Sequence, residues 1–127
     1  MATPDARAAI SGWSFDDARP GLTIEHPGGR TIGTDEHAWL AMVTNNASDL
    51  HGNVEYARTT EFGQPVVLGA LAVAIVVGLG QPVEWPPADA ARCQPAGWTR
   101  IRLTRAVSPG DTLRAVSTIV SVVPRRD

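Results

Sequence analysis

From Val66 to Leu79 the chain reads VVLGALAVAIVVGL, fourteen residues with no charged or amide side chain. Such a run is long for a strand and short of the roughly 20 residues that a membrane-spanning helix needs. Its apolar side chains cover every face of a helical wheel, which predicts a core helix wrapped on all sides, most simply by a sheet. A β-branched run also suits a buried parallel strand, but the length favours the helix. Pro65 fits a first helical position, where its missing N–H has no helical partner, and Gly78, Gly80 and Pro82 mark the other end. The polar stretch from Asn46 to Gly52, just ahead, carries His51. An imidazole beside a dry helix is a candidate reactive group, with a narrow apolar channel expected between them.

The 127 residues suit one domain with one core. A hydrophobic fraction of 43% and a charged fraction of 19% belong to an ordinary globular chain rather than a disordered one. The net charge is -2 and the eleven basic residues are scattered, so there is no basic face for nucleic acid. A single cysteine, Cys93, excludes an intramolecular disulfide, a CxxC pair and a multi-cysteine zinc site, and reads as incidental. His26, His37 and His51 do not have metal-ligand spacing, so no metal is expected. The start, MATPDARAAISGW, carries an acidic residue, Asp5, and lacks a continuous apolar stretch. It predicts no secretory signal, and a cytoplasmic location follows as the expectation.

Residues 1–20 read as a loose leader that Trp13 and Phe15 anchor, and 21–127 as the domain. In GLTIEHPGGRTIG, a strand around Leu22 and Ile24 precedes a Pro-Gly-Gly turn and a second β-like piece at Thr31-Ile32. Thr34 or Asp35 is expected to cap a helix with Trp39, Leu40 and Val43 at helical spacing, ending near Asn45-Asn46. Val54 to Arg58 suggests a helical turn with Tyr56 facing inward. After a loop over 81–97, Trp98–Val107 and Thr112–Val123 read as two strands joined at Ser108-Pro109-Gly110-Asp111, a β-hairpin. One central helix against an antiparallel sheet is an α+β arrangement.

These residues resemble the MaoC-like enoyl-CoA hydratases and dehydratases, which have the hotdog fold. That family's site reads Asp-x-Asn-Pro-aliphatic-His, then an acidic or amide residue, Tyr-Ala, Phe-Gly and x-Gly at the buried helix. Here Leu50, His51, Asn53, Tyr56-Ala57, Phe62-Gly63 and Leu68-Gly69 match, and VSPGDTL from Val107 to Leu113 is similar to the family's strand turn. The likeness covers roughly residues 20–123. Asn46, Ser48 and Asp49 stand where aspartate, asparagine and proline are usual. An amide at that first position, with YARTTEFG from Tyr56 to Gly63, is similar to the mesaconyl-CoA hydratase-like branch.

The resemblance implies an antiparallel sheet wrapped around one long buried helix. It also implies two further long strands, for which the sequence up to Asp127 has no counterpart. A hotdog fold truncated at its C-terminal end is therefore expected, either completed by a partner chain, compact or degenerate. Exposed sheet edges and helix surface would result otherwise.

Hydrating a double bond conjugated to a thioester needs a proton carrier, a group that positions water, and donors for the enolate oxygen. Histidine suits the first role. The resemblance gives that role to His51; if His51 carries all the proton transfer, Asn46 could orient the water, since a neutral amide holds water but takes no proton from it. Asp49 could supply a carboxylate from the same loop. Backbone N–H groups at Leu68-Gly69 would receive the oxyanion at the helix start. Asn53, Tyr56 and Phe62 complete the implied substrate-binding set. No cofactor is implied beyond coenzyme A or an acyl-carrier protein as part of the substrate, and a homodimer or hetero-oligomer with another hotdog chain is expected.

Each residue also has a plainer reading. His51 suits a solvent-facing loop, His26 and His37 suit surface or capping positions, and Asn46 and Asn53 suit turns. Tyr56 suits a core ring with a bonded hydroxyl. Two alternatives to a hydratase remain at this level: a non-catalytic hotdog subunit that binds an acyl thioester or completes a partner enzyme, and a hotdog thioesterase using Glu55 or Glu61.

Overall fold

A computed structural model of the chain describes residues 17–81 and 96–123. The leader anchors Trp13 and Phe15, Pro82, and Cys93 with most of its loop lie outside the described residues. The elements, in order, are β1 (Thr23–Glu25), β2 (Arg30–Thr31), α1 (Thr34–Val43), α2 (Asp49–Gly52), α3 (Val54–Arg58), α4 (Gly69–Leu79), β3 (Thr112–Leu113) and β4 (Val116–Thr118).

The two ends of the domain pair with each other. β1 runs antiparallel to β4 with Thr23 opposite Thr118, and β2 antiparallel to β3 with Thr31 opposite Thr112. Facing threonine hydroxyls bond in both ladders, at 3.2 Å and 2.7 Å, the kind of cross-strand pair that stabilises a sheet locally. Between the ladders the backbone turns at Pro27-Gly28-Gly29, where Gly28 has φ +92. A Cβ on Gly29 would lie 3.1 Å from the Leu113 carbonyl oxygen, so a side chain here would press the neighbouring backbone aside by a few tenths of an ångström.

The expected hairpin does not form. The turn is present: Asp111 N–H donates to Ser108 O at 3.0 Å, and Gly110 takes φ +97. A turn with a left-handed third residue of this kind splays its flanking strands instead of pairing them. Gly110 N–H bonds to Ile32 O and Ile32 N–H to Asp111 O, at 2.8 Å and 2.9 Å, so the chain past the turn joins β2. Residues 98–107 carry no strand.

α4 also differs from expectation. It starts at Gly69 rather than at Pro65, because the Val66 and Val67 amides are already engaged, by Leu50 O at 3.2 Å and Val107 O at 2.7 Å. Extended backbone also suits two successive β-branched residues. Ala72 and Ile75 are buried, and a core of Ile32, Val67 and Ile75 forms with Leu71, Leu79, Val107 and Leu113. On the other side Val76 is exposed, and no strand among the described residues covers it. Trp98, Ile101 and Leu103 are exposed as well, each by more than half of its surface. Among the described residues the helix is covered on one side.

In α1 the inward residues are His37 and Ala41, while Trp39 and Val43 are exposed. The apolar spacing pointed to the wrong face, because His37 fills the inward position. Gly33, not Thr34 or Asp35, is the N-cap, and its N–H donates to the Glu36 carboxylate at 2.8 Å. That carboxylate also pairs with Arg30. Among the described residues no helix is long and apolar enough to cross a membrane.

Candidate active site

His51 sits in a helical turn rather than in an open loop. Asp49–Gly52 closes one turn after Ser48, whose carbonyl accepts His51 N–H at 3.0 Å. The ring is half-buried, and its Nδ1 lies 2.7 Å from the carbonyl oxygen of Val66. A carbonyl can only accept, so Nδ1 carries the hydrogen and Nε2 keeps the lone pair. This tautomer leaves a base at the tip of the ring.

Val66 leads directly into the helix mouth. Leu68 is the N-cap of α4 and 4% exposed; Gly69 is its first residue. The first amides of a helix have no intrahelical acceptor, and among the described residues no other acceptor takes the N–H of Gly69 or Ala70. Phe62, Val66, Gly69 and Leu103 line a cleft of about 280 Å³. It is an open cleft rather than the narrow channel expected, and His51 reaches its wall through Val66 instead of lining it. A larger apolar groove of about 580 Å³ runs along α4 beneath Trp98, Ile101 and Leu103.

The other sequence candidates have defined places. Asn46 is exposed, and its Oδ1 accepts Ser48 N–H at 3.2 Å in a local turn. Asp49 opens α2 and is exposed. Asn53 caps α3, with Oδ1 accepting Tyr56 N–H at 3.0 Å. Tyr56 is 48% exposed, and Ala57 takes the inward position expected of it. Glu55 is paired with Arg58 on the surface at 2.6 Å.

Two histidines were misplaced by sequence reasoning. His26 is half-buried, with Nε2 2.8 Å from Ser117 Oγ. His37 is 1% exposed, with Nε2 2.7 Å from the His51 carbonyl oxygen. Their rings meet edge-on at 6.0 Å. The one available signal was spacing: His37 lies four residues before Ala41, on the same helical face. Among the described residues no cluster of His, Cys, Asp or Glu could hold a metal ion.

Two short antiparallel ladders, one of them packed against a central helix, with a histidine turn tied to the segment that enters that helix, make an α+β arrangement of the hotdog type. The sequence profile described as MaoC like domain matches residues 16–127, and the chain belongs to that family. The solved structures it resembles agree. The monoamine oxidase regulatory protein of Archaeoglobus fulgidus is 26% identical, with a TM-score of 0.65, over 84% of this chain and 70% of its own. A MaoC domain protein dehydratase of Chloroflexus aurantiacus is 25% identical, with a TM-score of 0.75 over 95% of this chain; the match spans 35% of that longer protein. The unliganded R-hydratase PhaJ1 of Pseudomonas aeruginosa shares the fold at 22% identity and a TM-score of 0.60, over 86% of this chain and 66% of its own. No curated protein matches the chain.

Proposed function

We propose that this domain adds water to the double bond of an enoyl thioester, or removes it from a 3-hydroxyacyl thioester. The observation that carries this reading is the His51–Val66 hydrogen bond, which ties the His51 ring to the segment leading into the α4 amides. The family, and relatives named as a dehydratase and an R-hydratase, point the same way.

In the forward direction Nε2 takes a proton from water as the oxygen bonds to the β-carbon. Charge moves to the thioester oxygen, which the amides at Leu68-Gly69 would receive. The imidazolium then gives its proton to the α-carbon, so the net addition is one water. Asn46 would orient that water through its NH₂ group, because its oxygen already serves Ser48. Asp49 is an alternative carboxylate on the same turn. Phe62 lines the cleft that would take the acyl chain; Asn53 and Tyr56 do not line it and are assigned to substrate binding on the resemblance alone. The carrier, coenzyme A or an acyl-carrier protein, arrives with the substrate, and no separate cofactor is called for. Within the class, the sequence around Asn46 and Tyr56 favours a branched enoyl thioester of the mesaconyl type.

The test is hydration of crotonyl- and mesaconyl-CoA. His51→Ala should abolish turnover in a chain that stays folded, and undiminished turnover would refute the role.

A second reading has its own support. The open face of α4 and the exposed Trp98, Ile101 and Leu103 favour a chain completed by another hotdog subunit. In that case the protein would be purified with a second chain and show no turnover by itself.

A further inference from the structure

We infer that His37 is a positioning residue that holds His51 in the orientation catalysis needs. The inference rests on the hydratase reading above and deepens it. His37 lies on α1 at 1% exposure, and its Nε2 is 2.7 Å from the carbonyl oxygen of His51. The carbonyl can only accept, so Nε2 carries the hydrogen. That carbonyl belongs to the last turn of a four-residue helix, where no helical N–H can reach it. The buried imidazole supplies the missing donor.

The other ring nitrogen supports this role. His37 Nδ1 is buried and has no partner among the described residues. A buried polar atom without a partner is costly, so a side chain kept only to fill this space would better be apolar. His37 therefore contributes its one donor, not its volume.

His51 is consequently held at three points. Its N–H reaches Ser48 O at 3.0 Å, its carbonyl receives His37, and its Nδ1–H reaches Val66 O. The first two fix the backbone from which the ring projects; the third fixes the ring. Without the His37 donor the end of α2 can shift, the Nδ1–H bond to Val66 O is pulled out of line, and Nε2 loses its aim. Displacement of a catalytic group by about 1 Å can cost on the order of 10²-fold in rate.

The experiment compares the full-length wild type with His37→Leu, which cannot donate, and His37→Gln, whose amide can donate from nearly the same place. His37→Met is a second non-donor, should the leucine variant fail to fold. Two-bond ¹H–¹⁵N spectra of the His51 ring report its tautomer without any need for activity. Wild type and His37→Gln should both show hydrogen on Nδ1, while a non-donor variant should show a mixture of tautomers. For crotonyl-CoA hydration, a non-donor variant should lower kcat about 10-fold or more at nearly unchanged KM, and His37→Gln should restore it. A folded non-donor variant with an unaltered His51 ring spectrum overturns the inference. A wild type that hydrates no thioester would sink the proposed reaction instead, and the ring spectra would still decide the role of His37.

Discussion

The Nδ1 of His51 bonds the carbonyl oxygen of Val66 at 2.7 Å, across 15 residues of sequence. The Val66 amide returns a bond to Leu50 O at 3.2 Å. Histidine turn and helix mouth are thus closed on each other by a pair of hydrogen bonds, and a change on one side reaches the other. The neighbouring Val67 amide carries the connection on to Val107.

Replacing His51 by asparagine separates anchoring from chemistry. An asparagine NH₂ can donate to Val66 O much as Nδ1–H does, but it offers no base where Nε2 stood. His51→Asn should keep its melting temperature close to wild type. Hydration of crotonyl-CoA should fall by ~10²–10⁴-fold, the usual worth of general acid–base assistance. Paired thermal melts and initial rates check this, and a variant that retains full rate would remove His51 from the reaction.

For His37→Leu the stability and rate effects should differ in size. Leaving the His51 carbonyl without its donor costs ~1–3 kcal/mol when that carbonyl is fully buried. Two effects reduce this loss: His51 is half-buried, so water reaches it, and the substitution removes the unpartnered His37 Nδ1. A net loss of about 1 kcal/mol is expected in urea titration, less than the free-energy equivalent of the expected rate loss.

Much of the architecture was legible because it depends on local pattern. The apolar run pointed to the central helix, Pro27-Gly28-Gly29 to the break between β1 and β2, and Val54 to Arg58 to a short helical turn. Strand pairing was not legible. Thr112–Val123 alternates equally well for either neighbour, and the choice of β2 over residues 98–107 depends on Ile32 exchanging bonds with Gly110 and Asp111. The face of α1 was misjudged for a related reason. Trp39 and Val43 carry the apolar signal, yet the inward position goes to His37, whose partner is a backbone carbonyl that no side-chain pattern reveals. His51, Phe62 and Gly69 were named by motif, whereas Val66 and Leu103 enter through a carbonyl and a contact that spacing does not encode.

Gly29 tests the long-range pairing that closes the domain. A Cβ there would lie 3.1 Å from Leu113 O and from Thr112 Cγ2. The first of these is backbone in a ladder and cannot move aside cheaply. Gly29→Ala should destabilise by ~1–3 kcal/mol, as overpacking does. Gly78→Ala is the internal contrast: nothing lies within 4 Å of its Cβ and it sits inside α4. There the gain in helix propensity should add up to ~1 kcal/mol. Denaturant midpoints moving in opposite directions would confirm both, and a Gly29→Ala protein as stable as wild type would contradict the ladder.

Gly69 and Leu103 form the remaining test, because stability and activity should respond in opposite ways. A Cβ on Gly69 would collide with Leu103 Cδ1, but that side chain is 61% exposed and can swing into solvent. Gly69→Ala should therefore leave stability within ~1 kcal/mol of wild type, helped by the better helix former. The new methyl stays in the cleft beside the free amides of α4, where a thioester oxygen must approach. Loss of an oxyanion donor typically costs ~10²–10³-fold in kcat, and Gly69→Ala should fall in that range. Leu103→Ala in the same chain distinguishes the two obstacles. If the methyl blocks the oxygen, the double variant stays as slow as Gly69→Ala; recovery in the double variant would mean that the displaced leucine was the obstacle. Rates and melts of the four proteins decide it, and a fast Gly69→Ala enzyme would exclude the mouth of α4 as the oxyanion site.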